Sequence, residues 1–267
     1  MRAEVAYPLA LELGEGPTWD AAAGRLIVVD ILRSEVHQLA PDGSDEVVRV
    51  GQHVGAAKPR ASGGLVLNLR DGVALEDGTW LAHWPVPGRR GNDAAVDSSG
   101  RLWAGTMRYD EAAGGGCLCR VGETTEFITE ATVSNGIAWS PDDRLMYYVD
   151  SATRRIDVFT YVDGNAVNRR PFASVPEGFP DGLTMDASGC VWVAIWDGSA
   201  VHRYAPDGRL DLVIDLPVAR PTACTFVGRD LYITTATIGL TDPAPPAGSV
   251  LVIPDAGSGL PSVPFAW

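Results

Sequence analysis

The chain has 267 residues, is 46% apolar, and carries 34 acidic against 21 basic residues for a formal net charge of −13. That balance excludes the basic stripe a phosphate-binding surface needs, so nucleic acid is not an expected partner. No apolar run approaches about 20 residues and Met1-Arg2-Ala3-Glu4-Val5 lacks the apolar core of a secretory signal, so neither a membrane partner nor export is expected.

Val5, Tyr7, Leu9, Leu11 and Leu13 alternate with other residues at the period of a strand, which Pro8 confines to a sheet edge. Placed before the first repeat, such a strand can close a ring by pairing with the last one. Gly14-Glu15-Gly16-Pro17-Thr18-Trp19-Asp20 then opens a pattern that recurs. Asn92-Asp93-Ala94-Ala95-Val96-Asp97 repeats it, as do Asn135-Gly136-Ile137-Ala138-Trp139-Ser140 and Asp181-Gly182-Leu183-Thr184-Met185-Asp186. An oxygen-bearing residue leads each copy, a bulky apolar residue follows at plus four, and Asp or Ser at plus five. A turn and a second apolar run come next.

The first unit continues through 26–29, 35–39 and 45–50. A weaker unit spans 54–57, 65–69, 72–75 and 80–84, with no polar residue at its lead near 54–56. A sixth begins near Thr222 and continues through 231–234 and 250–253. Thirty Gly and nineteen Pro lie between the short apolar runs and read as turns, and no stretch has helical periodicity. Repeats at intervals of roughly 40 residues, each of four short strands, predict an all-β, six-bladed β-propeller with four-stranded antiparallel blades, in one domain over 1–267. A β-solenoid is the alternative, though its repeats are usually shorter.

In a propeller the first strand of each blade lines the central channel, so Glu15, Asn92, Asn135 and Asp181 are expected to converge on the axis. Two carboxylates brought together without water repel and lose hydration. A divalent cation held by Glu15, Asn135 and Asp181 resolves that cost. Calcium, magnesium, manganese, iron and zinc all suit such oxygen ligands. Three protein ligands leave coordination positions for water and substrate. The competing reading is that these polar residues cap turns or hold channel water.

Other chemistries find little support. His37, His53, His83 and His202 occupy no repeated position and read as surface or turn residues. No Gly-x-Ser-x-Gly elbow is present. Cys117, Cys119, Cys190 and Cys224 read as reduced thiols, with a zinc site at Cys117 and Cys119 the lesser alternative, and fit a cytoplasmic location. Trp19, Trp103, Trp139 and Trp192 read as packing between blades, whereas Tyr109 and Trp196, in loops, are placed to meet a ligand.

The stretches Gly14-Glu15-Gly16-Pro17-Thr18-Trp19, Arg90-Gly91-Asn92-Asp93, Ala104-Gly105-Thr106-Met107, Ser134-Asn135-Gly136-Ile137-Ala138-Trp139-Ser140-Pro141-Asp142 and Pro180-Asp181-Gly182-Leu183, in this order, resemble the regucalcin (senescence marker protein)/gluconolactonase family. The resemblance runs from about residue 12 to 253. It implies a six-bladed propeller with an axial metal at Glu15, Asn135 and Asp181, Asn92 near metal and substrate, and Arg90 in contact with substrate. The implied activity is opening of a sugar lactone to its aldonic acid, with Asp181 accepting the proton of the attacking water. The implied partner is a small-molecule sugar lactone, with the chain a monomer or weak homodimer. Some relatives carry acidic residues after Gly-Thr-Met that reach the sugar. Here Arg108-Tyr109-Asp110-Glu111 stands there, so Tyr109 and Asp110 are the expected substrate contacts. Segment 108–116 is either a lid or an inert surface loop. A non-sugar lactone or ester as substrate, and a non-catalytic calcium-binding propeller, are the competing functions.

Overall fold

The structure, a computed structural model, describes residues 1–267 and contains 24 strands and one single-turn 3-10 helix, Ser151–Thr153. The strands form six four-stranded antiparallel sheets arranged as the blades of a propeller. The innermost strands are Gly14–Asp20, Val54–Pro59, Arg89–Val96, Ser134–Trp139, Phe179–Met185 and Pro221–Val227, for blades 1 to 6. The expected blades are all present, including the weak second one.

Ring closure follows the expectation from the N-terminal alternation. The strand Glu4–Tyr7 is the outermost strand of blade 6 and pairs antiparallel with Val250–Ile253, Glu4 opposite Val252 and Val5 opposite Leu251. It ends before Pro8, which could not donate to the ladder. Six apolar clusters fill the six clefts between neighbouring blades. Tyr7, Leu26, Val28, Leu39 and Val250 lock blade 6 to blade 1. Trp103, Met146, Tyr148 and Phe159 lock blade 3 to blade 4. Trp192, Phe226 and Ile233 lock blade 5 to blade 6. Each buried side chain contributes about 1.5–3 kcal/mol of transfer free energy. Trp103 and Trp192 are fully buried, as their packing role requires.

One feature is common to all six blades. The first hairpin slips register at the leading residue, between Glu15 and Thr18, Val54 and Ala56, Gly91 and Ala94, Ser134 and Ile137, Pro180 and Leu183, and Pro221 and Ala223. A bulge turns one side chain out of the normal alternation, here toward the channel. Small residues permit it. Gly16 has φ +58°, a left-handed conformation, and a Cβ on Gly136 would come within 2.7 Å of the Asp181 carbonyl oxygen of the next blade.

The C-terminal segment adds a strap that no repeat foreshadows. It leaves blade 6, forms a bridge between Gly259 and Asp186, and crosses the underside of the ring. There it sinks Phe265 into the cleft between blades 2 and 3. Phe265 N–H donates to Pro59 O over 2.8 Å and Phe265 O accepts from Ala61 N–H over 2.8 Å.

His37 departs from the surface or turn position expected of it. It is buried in the third strand of blade 1, Glu35–Leu39, with Nδ1 2.8 Å from an Asp45 carboxylate oxygen. The side chain faces across to the outer strand and is sandwiched there. All four cysteines are free and buried. No helix is long and apolar enough to cross a membrane.

Candidate active site

The bulges bring the leading residues to one end of the channel. Glu15, Asn92, Asn135 and Asp181 are each buried and, with Arg90 and Tyr109, line a single cavity of about 570 Å³. Six of the seven residues expected at the site therefore share one chamber. Asp110 does not line it. Its carboxylate turns back onto Arg108, with oxygens 2.8 and 2.7 Å from Nε and Nη2, because two residues of separation across the turn suit a bidentate pair. The next residue, Glu111, sits at φ +50° and lines the chamber instead.

Neighbouring blades fix the polar groups in a chain. Asn135 donates from Nδ2 to Ser151 Oγ over 2.7 Å, and Ser151 Oγ donates to Pro180 O over 2.7 Å. The Asn135 amide oxygen is thereby left facing the axis, where it accepts from Asn92 Nδ2 over 2.7 Å. Asn92 also donates to Ser134 O over 2.9 Å and accepts from Arg90 Nη1 over 2.7 Å. Arg90 spends the same nitrogen on Gly91 O over 2.9 Å, so its other N–H groups remain for a ligand.

The carboxylates are the strained part. Glu15 has one oxygen accepting from Gly16 N–H over 3.0 Å, and Asp181 Oδ1 is buried without any hydrogen-bond partner. Burial, and then the nearby Asp93, push the Glu15 carboxyl up to about 8. Burial, and then Glu15, hold Asp181 well above the usual carboxylate range. A fold that leaves a carboxylate oxygen without a partner, beside a second carboxylate and a fixed amide oxygen, has the donor set of a hard cation. No three His, Cys, Asp or Glu side chains converge on a metal-sized group; the axial set has two carboxylates, and its third oxygen is an amide. Glu15, Asn135 and Asp181 fit a divalent ion on these grounds.

The rim is asymmetric. Tyr109 OH lies 2.8 Å from His53 Nδ1, and the Arg90 guanidinium sits 5.9 Å from the Tyr109 ring centre. On the far side Ile31, Leu32, Phe179, Trp196 and Ile238 form an apolar wall. Arg220 stacks 4.8 Å over Trp196 and is pinned to Asp197 over 2.7 Å. Segment 108–116 is tied down at Arg108, whose Nη1 donates to Pro87 O over 3.1 Å, at Tyr109–His53 and at Gly114 N–H, which donates to Thr132 Oγ1 over 3.2 Å. Sequence reasoning missed Glu111, His53, Ser151, Arg220 and a buried lysine, Lys58. None of them leads a repeat, so periodicity carried no signal for them. Lys58, three residues after Gly55, would have been found by continuing the register of the other blades.

The family model described as the SMP-30/Gluconolactonase/LRE-like region matches residues 13–237. A 6-deoxy-6-sulfogluconolactonase of Pseudomonas putida is 36% identical over 242 residues, covering 84% of this chain and 83% of that one. Regucalcin of Gallus gallus is 32% identical over 285 residues, covering 95% of each chain. Among solved structures, a regucalcin from Agrobacterium tumefaciens described as a calcium-binding protein superposes with a TM-score of 0.93 at 27% identity, over 98% of this chain and 97% of that one. By sequence, fold and blade order, the chain belongs to the SMP-30/gluconolactonase/LRE-like family.

Proposed function

We propose that the protein hydrolyses a sugar (aldono-)lactone to the aldonic acid, in a site where Glu15, Asn135 and Asp181 hold one divalent ion. The carrying observation is the buried, partnerless Asp181 Oδ1 beside Glu15, at the floor of a chamber large enough for a monosaccharide lactone. The lactonase named among the relatives supports the reaction class, and the regucalcin relatives support a metal.

When bound, a divalent ion supplies Lewis-acid polarisation of the lactone carbonyl. The protein's own groups do the rest. Arg90, with N–H groups spare, orients the ring hydroxyls and faces charge that develops on the carbonyl oxygen. Asn92, held by Arg90, Ser134 and Asn135, fixes the position of that guanidinium and keeps only a lone pair of its amide oxygen for the substrate. Water adds to the carbonyl carbon as Asp181 accepts its proton, the ring C–O bond breaks, and Asp181 returns that proton to the leaving oxygen. Tyr109 and Glu111 close the polar side of the chamber. The four unpaired cysteines fit a reducing, cytoplasmic setting.

The apolar wall favours a second reading on the same site, a lactone bearing an alkyl or aryl substituent. A pH-indicator assay distinguishes them. Metal-stripped protein is given calcium, magnesium, manganese, iron or zinc, on glucono-, galactono-, xylono- and arabinonolactone beside alkyl and aryl lactones. Turnover of a sugar lactone, restored by one ion and lost in Glu15→Gln and Asp181→Asn, is the expected result. Turnover confined to alkyl or aryl lactones selects the second reading. Stoichiometric metal uptake without any turnover leaves a calcium-binding role and overturns both.

A further inference from the structure

Continuing the register of the innermost strands below the leading residues exposes a second tier. Three positions after Glu15, Gly55, Asn92, Asn135, Asp181 and Thr222 stand Thr18, Lys58, Ala95, Ala138, Thr184 and Thr225. All six line a separate cavity of about 330 Å³ on the strap side of the channel. Five of them are small and neutral. Lys58 is the exception, an amine-bearing side chain only 8% exposed, which burial holds below the ordinary lysine range.

Its surroundings define its task. Lys58 Nζ donates to Thr18 Oγ1 over 2.7 Å, and Thr18 Oγ1 in turn donates to Gly16 O over 3.1 Å, inside the bulge that aims Glu15. Nζ has no other hydrogen-bond partner; it faces the cavity that Asp93 also lines, without a direct ion pair between the two within 4 Å. Asp93 lines the same cavity, at the position where blades 1, 4 and 5 carry Gly16, Gly136 and Gly182. It is 9% exposed, and its one hydrogen bond is Ala94 N–H to Oδ1 over 2.7 Å. The channel thus buries three carboxylates, Glu15, Asp93 and Asp181, against Arg90 and Lys58. One divalent ion in the upper tier answers Glu15 and Asp181 and leaves Asp93 over. A buried carboxylate without a counter-charge draws a cation or is lost as a charge.

We propose that Lys58 is the resident counter-cation of Asp93, standing in the lower tier where a second metal ion would otherwise be drawn, and that through Thr18 it steadies the bulge carrying Glu15. Lys58 is therefore a positioning residue, out of contact with substrate. The charge pairing stands on the lower tier alone; only the ion count rests on the metal reading of the upper one.

The test uses the full-length protein with Lys58→Met, Lys58→Gln, Asp93→Asn and the double variant Lys58→Met/Asp93→Asn. Thermal unfolding is followed in chelator, and manganese uptake by equilibrium dialysis. Each single Lys58→Met or Asp93→Asn change should lower Tm by about 5–10 °C, because it strands a buried charge, and the double variant should recover at least half of that loss. The wild-type protein should take up one manganese ion, Lys58→Met and Lys58→Gln two, and the double variant one again. Lys58→Gln keeps a donor for Thr18 without the charge, so a second ion there isolates the charge as the cause, and it stands in should Lys58→Met not fold. Additive Tm losses with one ion bound throughout would overturn the proposal, as would Lys58→Gln behaving like wild type. A wild-type protein that takes up no ion, with the Tm recovery intact, would sink the metal reading and leave the Lys58–Asp93 pair standing.

Discussion

Asp97 accepts the indole N–H of Trp103 over 2.8 Å, and Asp186 accepts that of Trp192 over 2.9 Å, the same pair at the same register in blades 3 and 5. These are the plus-five acids of the repeat, and they serve the scaffold. Asp97 also accepts from Tyr161 OH over 2.8 Å and from Arg101 Nε over 2.9 Å, fully buried, so that one carboxylate ties blade 3 to blade 4. Asp97→Ala strands five donors, the backbone N–H groups of Ser99 and Arg101 included, and should cost about 3–5 kcal/mol of stability by denaturant unfolding. Hydrolysis per folded molecule should stay within about twofold of wild type. A selective loss of activity with stability intact would contradict this scaffold role.

The axial carboxylates predict an inverted pH dependence in metal-free protein. Glu15, with its carboxyl pushed up to about 8, and Asp181, also raised, hold their protons more tightly when folded than when unfolded. Their contribution to stability is complete below about pH 4.5 and is lost as pH climbs toward 8. Tm in chelator should fall across that window. Glu15→Gln should flatten the fall and raise stability near pH 8 by on the order of 2 kcal/mol. Calorimetric scans of both proteins from pH 5 to 9 check it; parallel curves would refute the assignment.

Arg90→Ala removes the donor that orients Asn92 and leaves the Asn92 oxygen without its 2.7 Å partner. A fall of roughly 10²-fold in kcat/KM is expected, on the scale of one lost charge-assisted contact in a transition state. Arg90→Lys should recover little, because an ammonium cannot reproduce the planar fork. Steady-state kinetics on the preferred lactone, with metal content measured alongside, tests both variants. Near-wild-type turnover by Arg90→Ala would remove it from the substrate site.

The strap makes a prediction of its own. Phe265 is fully buried between blades 2 and 3, so Phe265→Ala should cost about 3–5 kcal/mol through the cavity it leaves. Urea unfolding monitored by tryptophan fluorescence gives the number. A change under about 1 kcal/mol would mean that the strap is an ornament on a ring stable without it.

The repeat made the blades legible because strand period, turns and leading residues recur together, and the same register put Glu15, Asn92, Asn135 and Asp181 on one level. What escaped it did so for physical reasons. The second blade leads with Gly55, which has no side chain to mark the position, so Lys58 went unread three residues later. Asp110 and Glu111 are adjacent acids in a turn, and only the chain path decides that the first folds onto Arg108 while the second turns inward. The strap has no period at all, and its anchor, Phe265, is one aromatic residue among prolines.

The pairing of Glu4–Tyr7 with Val250–Ile253 also sets an order of events during synthesis. The first of the ring's strands to be made belongs to the last blade, so it must wait, edge exposed, until some 250 residues have followed it. Five blades can assemble as the chain emerges, but the circle can shut only after translation has passed Ile253. A stalled or prematurely terminated chain is consequently an open arc with two unpaired faces, which marks it for aggregation or removal rather than partial function.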